Sequence, residues 1–348
     1  MSLFSQLDFT WEFKEYGFAQ TEPMFWQEFF NSFFSDKNVL SDYVYRGVAK
    51  KGYKLESTFV RECKRLNKEF TEANWQQHLL NFRYAIRGRI KLPESVLFSD
   101  EEVWAIGQHH GLATPLLDWT ESPFVAAFFA FYEDQQKPHD KYRAIYAINT
   151  KVIDTYYDYS VRISLQRDNL DGLLIQEFDF LSPDEHIKLS TEILTHFQGS
   201  DYDIRVKAER IANGYFPADP RIVRICQKIM ENSLKNNAVR LVKPMLGENA
   251  RLVNQRGVFS YCLQSDSLEK IIKKIYKNAI RNGLPMDADE LILAKFILRD
   301  NDRKTVLKHL AQMNINYSSL FPDLYGASKY CNALMNEPTN DDIISIRT

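Results

Sequence analysis

Residues 107–123 read Gly107-Gln108-His109-His110-Gly111-Leu112-Ala113-Thr114-Pro115-Leu116-Leu117-Asp118-Trp119-Thr120-Glu121-Ser122-Pro123. Ser122 before Pro123 is typical of a helix start, because serine caps backbone N–H groups and proline suits the first helical position. The run Phe124–Tyr132 is apolar on every side, which predicts a buried helix over Pro123–Asp134. The N-terminus of such a helix favours an anion or a sugar hydroxyl. The simpler alternative is that Thr120 and Ser122 only cap the helix.

The sequence on both sides of this stretch predicts a mixed α+β fold. Apolar residues at helical spacing predict helices over Pro23–Phe34, 58–90, Glu101–Gln108, Ser267–Arg281 and Ala288–Gln312. Strand-like patterns cover Asp42–Gly47, Arg143–Asn149 and Asn249–Leu263. We expect a helical N-terminal extension at 1–36, a core domain at 37–265 and a helical C-terminal portion at 266–348 packed on it.

Composition excludes several classes of protein. The chain has 348 residues, with 44 Lys+Arg against 46 Asp+Glu and 45% hydrophobic residues, which argues against disorder and against nucleic-acid binding through global charge. The four cysteines are far apart without a Cys-x-x-Cys pair, as in a reduced protein without a disulfide framework or zinc site. Early acidic residues argue against a signal peptide, and no apolar run approaches 18 residues. We therefore expect a soluble, cytoplasmic protein that binds no membrane.

Three polar interruptions of strand-like segments suggest one converging site. Arg46 lies at a strand end before Gly47, where its guanidinium can meet a phosphate or carboxylate, although a surface salt bridge explains it equally well. The pair His109-His110 has acid/base or zinc chemistry, but adjacent side chains point apart and no further ligand lies at metal spacing, so a packed pair is the alternative. The third segment is Asn249–Phe259, which Arg251, Gln255 and Gly257 interrupt.

These segments together resemble the FRG domain family. Its features correspond to Tyr45-Arg46-Gly47, the block Gly107–Pro123, the segment Asn249–Phe259 and the C-terminal stretch Ser319–Gly326. At Leu116 the family more often has arginine. The motif order is in turn similar to that of ADP-ribosyltransferases, which have an arginine on the first core strand, a Ser-Thr-Ser-like segment before a helix and a glutamate on a later strand.

The resemblance implies an ADP-ribosyltransferase-like mixed sheet and a site for NAD as a substrate, with no metal. Its catalytic candidates are Arg46, His109, Asp118 and Gln255, although Gln255 stands where the glutamate is expected and cannot act as a base. The residues implied to bind NAD are Tyr45, Arg46, Trp119, Thr120, Ser122 and Arg251. His110 and Glu121 are further acid/base candidates.

The resemblance implies an effector of a toxin–antitoxin or anti-phage system, with an antitoxin or chaperone as partner. The acceptor of ADP-ribose is open: protein, RNA, DNA, or water in an NAD glycohydrolase. The basic stretch Arg61–Lys91 and the helix with Lys270, Lys273, Lys274, Lys277 and Arg281 suit a nucleic-acid groove, or are simply solvated faces. A non-catalytic module that binds a nucleotide or nucleic acid is the main alternative. A nuclease would need a larger set of carboxylates or histidines than this sequence clusters.

Overall fold

The computed structural model describes residues 9–35, 42–89, 100–132, 141–197, 204–212, 216–236, 239–243, 250–284 and 291–336. The strands are β1 (Trp11–Glu15), β2 (Phe18–Met24), β3 (Tyr43–Val48), β4 (Leu116–Thr120), β5 (Tyr142–Asn149), β6 (Arg240–Val242), β7 (Gly257–Tyr261) and β8 (Leu293–Arg299). They form one sheet in the order β1-β2-β8-β5-β3-β4-β7-β6. The pairing of β2 with β8 is parallel and the other pairings are antiparallel. The expected mixed α+β class is confirmed.

Helices cover both faces of this sheet. They are α1 (Trp26–Ser35), α2 (Thr58–Arg65), α3 (Glu72–Ala85), α4 (Asp100–His109), α5 (Pro123–Phe131), α6 (Thr150–Ser164), α7 (Arg167–Glu177), α8 (Pro183–Phe197), α9 (Ile204–Ala212), α10 (Pro220–Lys235), α11 (Ala250–Asn254), α12 (Leu268–Arg281), α13 (Arg303–Gln312), α14 (Tyr317–Leu320) and α15 (Leu324–Asn336). A 3₁₀ turn, Asp300–Asp302, precedes α13. None of the described helices is both long and apolar enough to cross a membrane.

The two faces of the sheet carry separate hydrophobic cores. Helices α1, α5, α13 and α14 pack on one face, where Trp26, Phe131 and Phe296 are buried. The other face carries the larger core, built from α2–α4, α6–α10 and α12. Side chains alternate along a strand, so Tyr43 and Tyr45 join the first core while Val44 joins the second. Aromatic residues make up 14% of the chain, and both cores contain them.

The centre of the sheet is weakly joined. Strand β3 pairs with β5 over six residues, but it pairs with β4 only at Tyr45 and Thr120. On one side of this pair lie Arg46 and Asp118, and on the other lie Val44 and Glu121. We call the boundary between the two strands the β3–β4 seam. A seam with one paired position leaves backbone and side-chain groups on both sides available for other contacts.

Two predictions of secondary structure are wrong. Within the expected helix Ala288–Gln312, Leu293–Arg299 forms strand β8 and α13 begins only at Arg303, while 288–290 lie outside the described residues. Strand β8 lies between β2 and β5 with six of its seven residues buried, and a strand buried on both faces has no alternation to separate it from a buried helix. The expected strand Asn249–Leu263 begins as the short helix α11, and a turn at Arg256 with φ +47° leads into β7. Asn249 itself lies outside the described residues.

The other predictions of secondary structure hold with shifted ends. Helix α1, strands β3 and β5, and helices α4, α5 and α12 lie where the sequence predicts them, and the stretch 58–90 contains α2 and α3. The N-terminal extension is not purely helical, because β1 and β2 extend the sheet, and the C-terminal portion likewise supplies β8. The sheet thus takes strands from all three expected regions. The boundaries at 36/37 and 265/266 stay predictions.

Gly47 allows α5 to lie directly on β3. A Cβ at Gly47 would overlap the carbonyl oxygen of Ala126 in α5, whereas a Cβ at Gly172 in α7 would meet nothing within 4 Å. We predict that Gly47→Ala lowers the free energy of unfolding by about 1–3 kcal/mol, because the helix must move off the strand. Gly172→Ala should raise it by about 0.5–1 kcal/mol, because alanine is the better helix former. Urea unfolding measures both changes. Equal small effects at the two positions would contradict the close approach.

Candidate functional site

The three residues of Tyr45-Arg46-Gly47 have different surroundings. Tyr45 is fully buried, with its ring 5.7 Å from that of Phe33, and burial raises the pKa of its hydroxyl above the ordinary value. Gly47 lies against the α5 backbone. Arg46 alone extends into polar surroundings, with 21% of its side chain exposed. The Tyr45 ring is therefore not accessible for the predicted contact with NAD, whereas the Arg46 side chain remains available to a ligand.

Arg46 spans the seam on the side where β3 and β4 separate. Its Nη1 donates to the main-chain oxygen of Asp118 and lies 3.3 Å from the carboxylate Oδ2. Gln108 in α4 donates to the other carboxylate oxygen of Asp118 and accepts from the Thr114 hydroxyl. The Asp118 side chain is 61% exposed. We call Arg46, Gln108, Thr114 and Asp118 the gap cluster; it presents a carboxylate to solvent beside a fixed guanidinium.

A row of buried polar side chains lies beside Arg46 across the sheet. Tyr146 in β5 is the cross-strand partner of Arg46, and Lys295 in β8 is the next in register. The Tyr146 hydroxyl lies 3.1 Å from a carboxylate oxygen of Glu269, and burial together with that carboxylate raises the pKa of Tyr146. Lys295 Nζ donates to the Lys51 main-chain oxygen at 2.7 Å, and burial lowers its pKa. These partners fix the strand positions on which Arg46 depends.

His109 ends α4, one residue after Gln108 of the gap cluster. Partial burial, His110 and Arg251 all lower the pKa of His109, against an opposing effect of Asp323. The imidazole is therefore neutral at pH 7 and can accept a proton. Its ring lies 4.9 Å from that of His110, as expected for a packed pair. In the described part of the chain no three His, Cys, Asp or Glu residues are grouped to hold a metal ion.

The end of the central block makes structural hydrogen bonds. Trp119 is 3% exposed, and its Nε1 donates to the Ser260 hydroxyl at 2.9 Å. The buried Thr120 hydroxyl donates to the Gln255 main-chain oxygen at 2.6 Å. The Ser122 hydroxyl accepts from Val125 N at 3.3 Å and so caps α5. Ser122 therefore caps the helix as the alternative expected, whereas the Thr120 hydroxyl binds the main chain at Gln255 and Ser122 instead, and the Trp119 ring is part of the core.

The third segment holds the C-terminal stretch of the chain. Gln255 Nε2 donates to the Leu320 main-chain oxygen at 3.0 Å, and Asn254 Nδ2 donates to that of Ser319 at 2.7 Å. Arg251 pairs with Asp323 and lies over the ring of Phe321, with 5.4 Å to its centre. Arg251 and Gln255 thus hold the C-terminal stretch Ser319–Gly326 against the third segment.

A cavity of about 730 Å³ opens on the other side of the Tyr45–Thr120 pair. Its wall includes Val44 from β3, Ser122 at the start of α5 and Val258 from β7. Its charged lining consists of Glu121, Asp154, Glu209, Arg240, Lys243 and Arg256. We call this the strand-end cavity. Of the residues predicted to bind NAD, only Ser122 is on its wall, so the seam separates Ser122 from Arg46 and Asp118.

The comparison with known families identifies a domain in the first half of the chain. Residues 41–139 match the family model of the FRG domain. The chain contains an FRG domain. The matched range includes the strand with Arg46, the whole gap cluster and helix α5, whereas the third segment and the C-terminal stretch lie outside it. Comparisons with curated proteins and with solved structures gave no match.

The FRG domain therefore brings together part of the predicted site. Arg46 and Asp118 are in direct contact, and His109 follows Gln108, which binds Asp118, in the chain. Sequence reasoning missed the bridging role of Gln108 and the pairing of Asp323 with Arg251, although both residues lie in quoted motifs. It also missed the lining of the strand-end cavity by Lys243 and Arg256. No spacing in the sequence indicates that β6 and the α11–β7 turn meet there.

Gln255 offers a test of the docking role. Gln255→Glu would place a carboxylate against the Leu320 carbonyl, where only a donor is satisfied. We predict a loss of about 1–3 kcal/mol in the free energy of unfolding, measured in urea. The control is Gln77→Glu on α3, which removes only an exposed hydrogen bond to Asn81 and should change stability by less than about 0.5 kcal/mol. A stable Gln255→Glu variant would show that this side chain does not hold the C-terminal stretch.

Proposed function

We propose that this protein is an ADP-ribosyltransferase-like effector that cleaves NAD at the gap cluster and transfers ADP-ribose to a macromolecule. One observation carries the proposal. The segments that correspond to the strand arginine, the Ser-Thr-Ser-like segment and the later strand lie on β3, at the end of β4 and just before β7, and these three strands are consecutive in the sheet. Segments more than 200 residues apart in the chain thus lie on or beside one run of three strands, which supports one shared site. An ADP-ribosyltransferase-like type of sheet is part of this proposal.

The gap cluster has the charges that cleavage of NAD requires. Breaking the bond between ribose and nicotinamide develops positive charge on the ribose, which a nearby carboxylate stabilises. Asp118 is the exposed carboxylate of the cluster and takes this role in place of the missing glutamate. Arg46 binds the pyrophosphate, and exchanges its contact with Asp118 for a contact with the substrate. The neutral imidazole of His109 accepts the proton of the acceptor group.

The other predicted residues support these groups indirectly. Thr120 and Ser122 hold the junction of β4 with α5, and so fix the end of the strand that carries Asp118. Trp119 fixes β4 from the core through Ser260. Gln255 and Arg251 hold the C-terminal stretch, and Arg251 also acts on the pKa of His109. Gln255 has no part in the chemical step.

The proposed setting is a cytoplasmic toxin or an anti-phage system. NAD cleavage harms the cell that makes the enzyme, so the proposal includes an antitoxin or chaperone protein that neutralises it. RNA, DNA, protein and water are the acceptors to be compared. Lys270 and Lys274 both pair with Asp266, and Lys273 pairs with Glu15, so the basic charge of α12 is partly balanced within the chain. That balance favours testing protein acceptors beside nucleic acids.

A specific observation favours a second function, a non-catalytic module that binds a nucleotide or nucleic acid. Position 255 has no carboxylate, and its amide is engaged with Leu320. Trp119 and Thr120 likewise use their polar atoms within the chain. A binding module needs Arg46 but no carboxylate that stabilises a transition state. The two functions differ in whether nicotinamide is released.

Nicotinamide release from labelled NAD tests the proposal. The purified full chain is incubated with RNA, DNA, cellular protein or buffer alone. We predict that Arg46→Ala and Asp118→Asn each reduce the rate at least about tenfold, a loss of roughly 1.4 kcal/mol of transition-state stabilisation. The matched controls are Arg162→Ala and Asp266→Asn, which change exposed ion pairs away from the seam and should leave the rate unchanged.

Two results would contradict NAD cleavage at the gap cluster. The first is no release by the wild-type protein with any acceptor, which leaves the binding module if NAD or nucleic acid still binds. The second is release that Asp118→Asn does not reduce. Asp118→Asn conserves the shape of an exposed side chain, so it separates chemistry from folding more clearly than Arg46→Ala. Thermal unfolding of every variant identifies any loss of rate that comes from instability.

A further inference from the structure

The strand-end cavity lies apart from the gap cluster, on the other side of the Tyr45–Thr120 pair. We propose that it binds the 5′-phosphate, ribose and base of a nucleoside monophosphate group, either free or at the end of a nucleic-acid strand. This inference goes beyond NAD cleavage and does not rest on it. It follows from the size of the cavity, its apolar floor and the charges at its wall.

The size and floor of the cavity suit a base with its sugar. Its volume of about 730 Å³ is in the range of small-molecule sites, roughly 300–1,000 Å³. Val44 from β3 and Val258 from β7 line the apolar part of the wall with the little surface that they expose. Phe124 adds an aromatic ring at the start of α5, held by the neighbouring rings of Trp26 and Phe30. A flat base is the part of a nucleotide that packs on such a surface.

The charges at the wall indicate where a phosphate binds. Arg240 is held between Glu101 and Glu209, and Lys243 pairs with Glu121. Within the described part of the chain, the side chain of Arg256 has no ion pair or hydrogen bond. It is exposed at the turn before β7, so its guanidinium is the charge available to a phosphate.

Two carboxylates on the wall of the cavity can accept hydrogen bonds from the hydroxyl groups of the sugar. Glu121 and Asp154 both line the cavity, and carboxylate oxygens accept hydrogen bonds from hydroxyl groups. Ser122, also on the wall, caps the start of α5, where the helix dipole favours a negative charge. A group with both a phosphate and free hydroxyls therefore matches a wall of mixed charge better than inorganic phosphate or a purely cationic ligand. A ribonucleotide has both.

Equilibrium dialysis with labelled AMP tests this site on the full chain. We expect AMP to bind at least tenfold more tightly than adenosine, because adenosine lacks the phosphate. Arg256→Gln should weaken AMP binding at least tenfold, and Lys243→Gln should weaken it as well, because it leaves Glu121 unpaired near the phosphate. Arg162→Ala is the matched control and should bind AMP as the wild type does.

A second arm compares the two sources of the nucleotide. A hexaribonucleotide with a 5′-phosphate is compared with one that ends in a 5′-hydroxyl. Binding of the phosphorylated strand that Arg256→Gln weakens supports a strand end as ligand, and binding of AMP alone supports a free nucleotide. The proposal is overturned if neither probe binds up to millimolar concentration, or if Arg256→Gln binds AMP as tightly as the wild type. Binding of AMP without any release of nicotinamide would retain this site and reject NAD cleavage.

Discussion

The contact between the backbones of β3 and α5 at Gly47 determines how the centre of the molecule is built. Ala126 and Ala130 lie in the same contact and are fully buried, so the helix presents small residues to the strand. Helix α5 begins directly after β4, with Ser122 as its N-terminal cap. At this junction the Thr120 hydroxyl donates to the main-chain oxygen of Gln255 in the third segment. Strand β4 then meets β3 at one paired position, and the seam opens on both sides of it. The gap cluster and the strand-end cavity both follow from this arrangement.

The FRG motif residues divide between architecture and accessible chemistry. Tyr45, Gly47 and Trp119 are packed, and their contacts set the positions of β3, β4 and α5. Arg46 and Asp118 lie within the same short segments, yet they reach the surface of the seam. Most of the motif is therefore packed, and Arg46 and Asp118 are the two residues to which the proposal gives a chemical role. Mutation of the motif has to be read with stability measured beside activity.

The sequence predicts a helix or strand correctly where the pattern of its apolar residues is typical of that one type of structure. Helix α5 follows from an apolar run after a Ser-Pro start, and β5 follows from its strand-like pattern at Arg143–Asn149. Strand β8 could not be recognised, because burial on both faces removes alternation. Asp118 and Arg46 were predicted from motif membership, but the link through Gln108 depends on how α4 packs against β4. The charged residues Asp154, Glu209 and Arg240 of the cavity lie on α6, α9 and β6. These elements are far apart in the chain, so only the tertiary structure brings the three charges together.

The most direct test of NAD cleavage at the gap cluster is to observe the Arg46 side chain while NAD binds. Proton–nitrogen NMR spectra of the arginine side chains are recorded during a titration with NAD, and Arg46→Lys assigns the Arg46 signal. We predict that the Arg46 Nε–H signal shifts and saturates over the NAD concentrations that support nicotinamide release. The signal of Arg143, which is buried and paired with Asp300, should stay in place. An Arg46 signal that does not move while nicotinamide is released would contradict binding at the gap cluster.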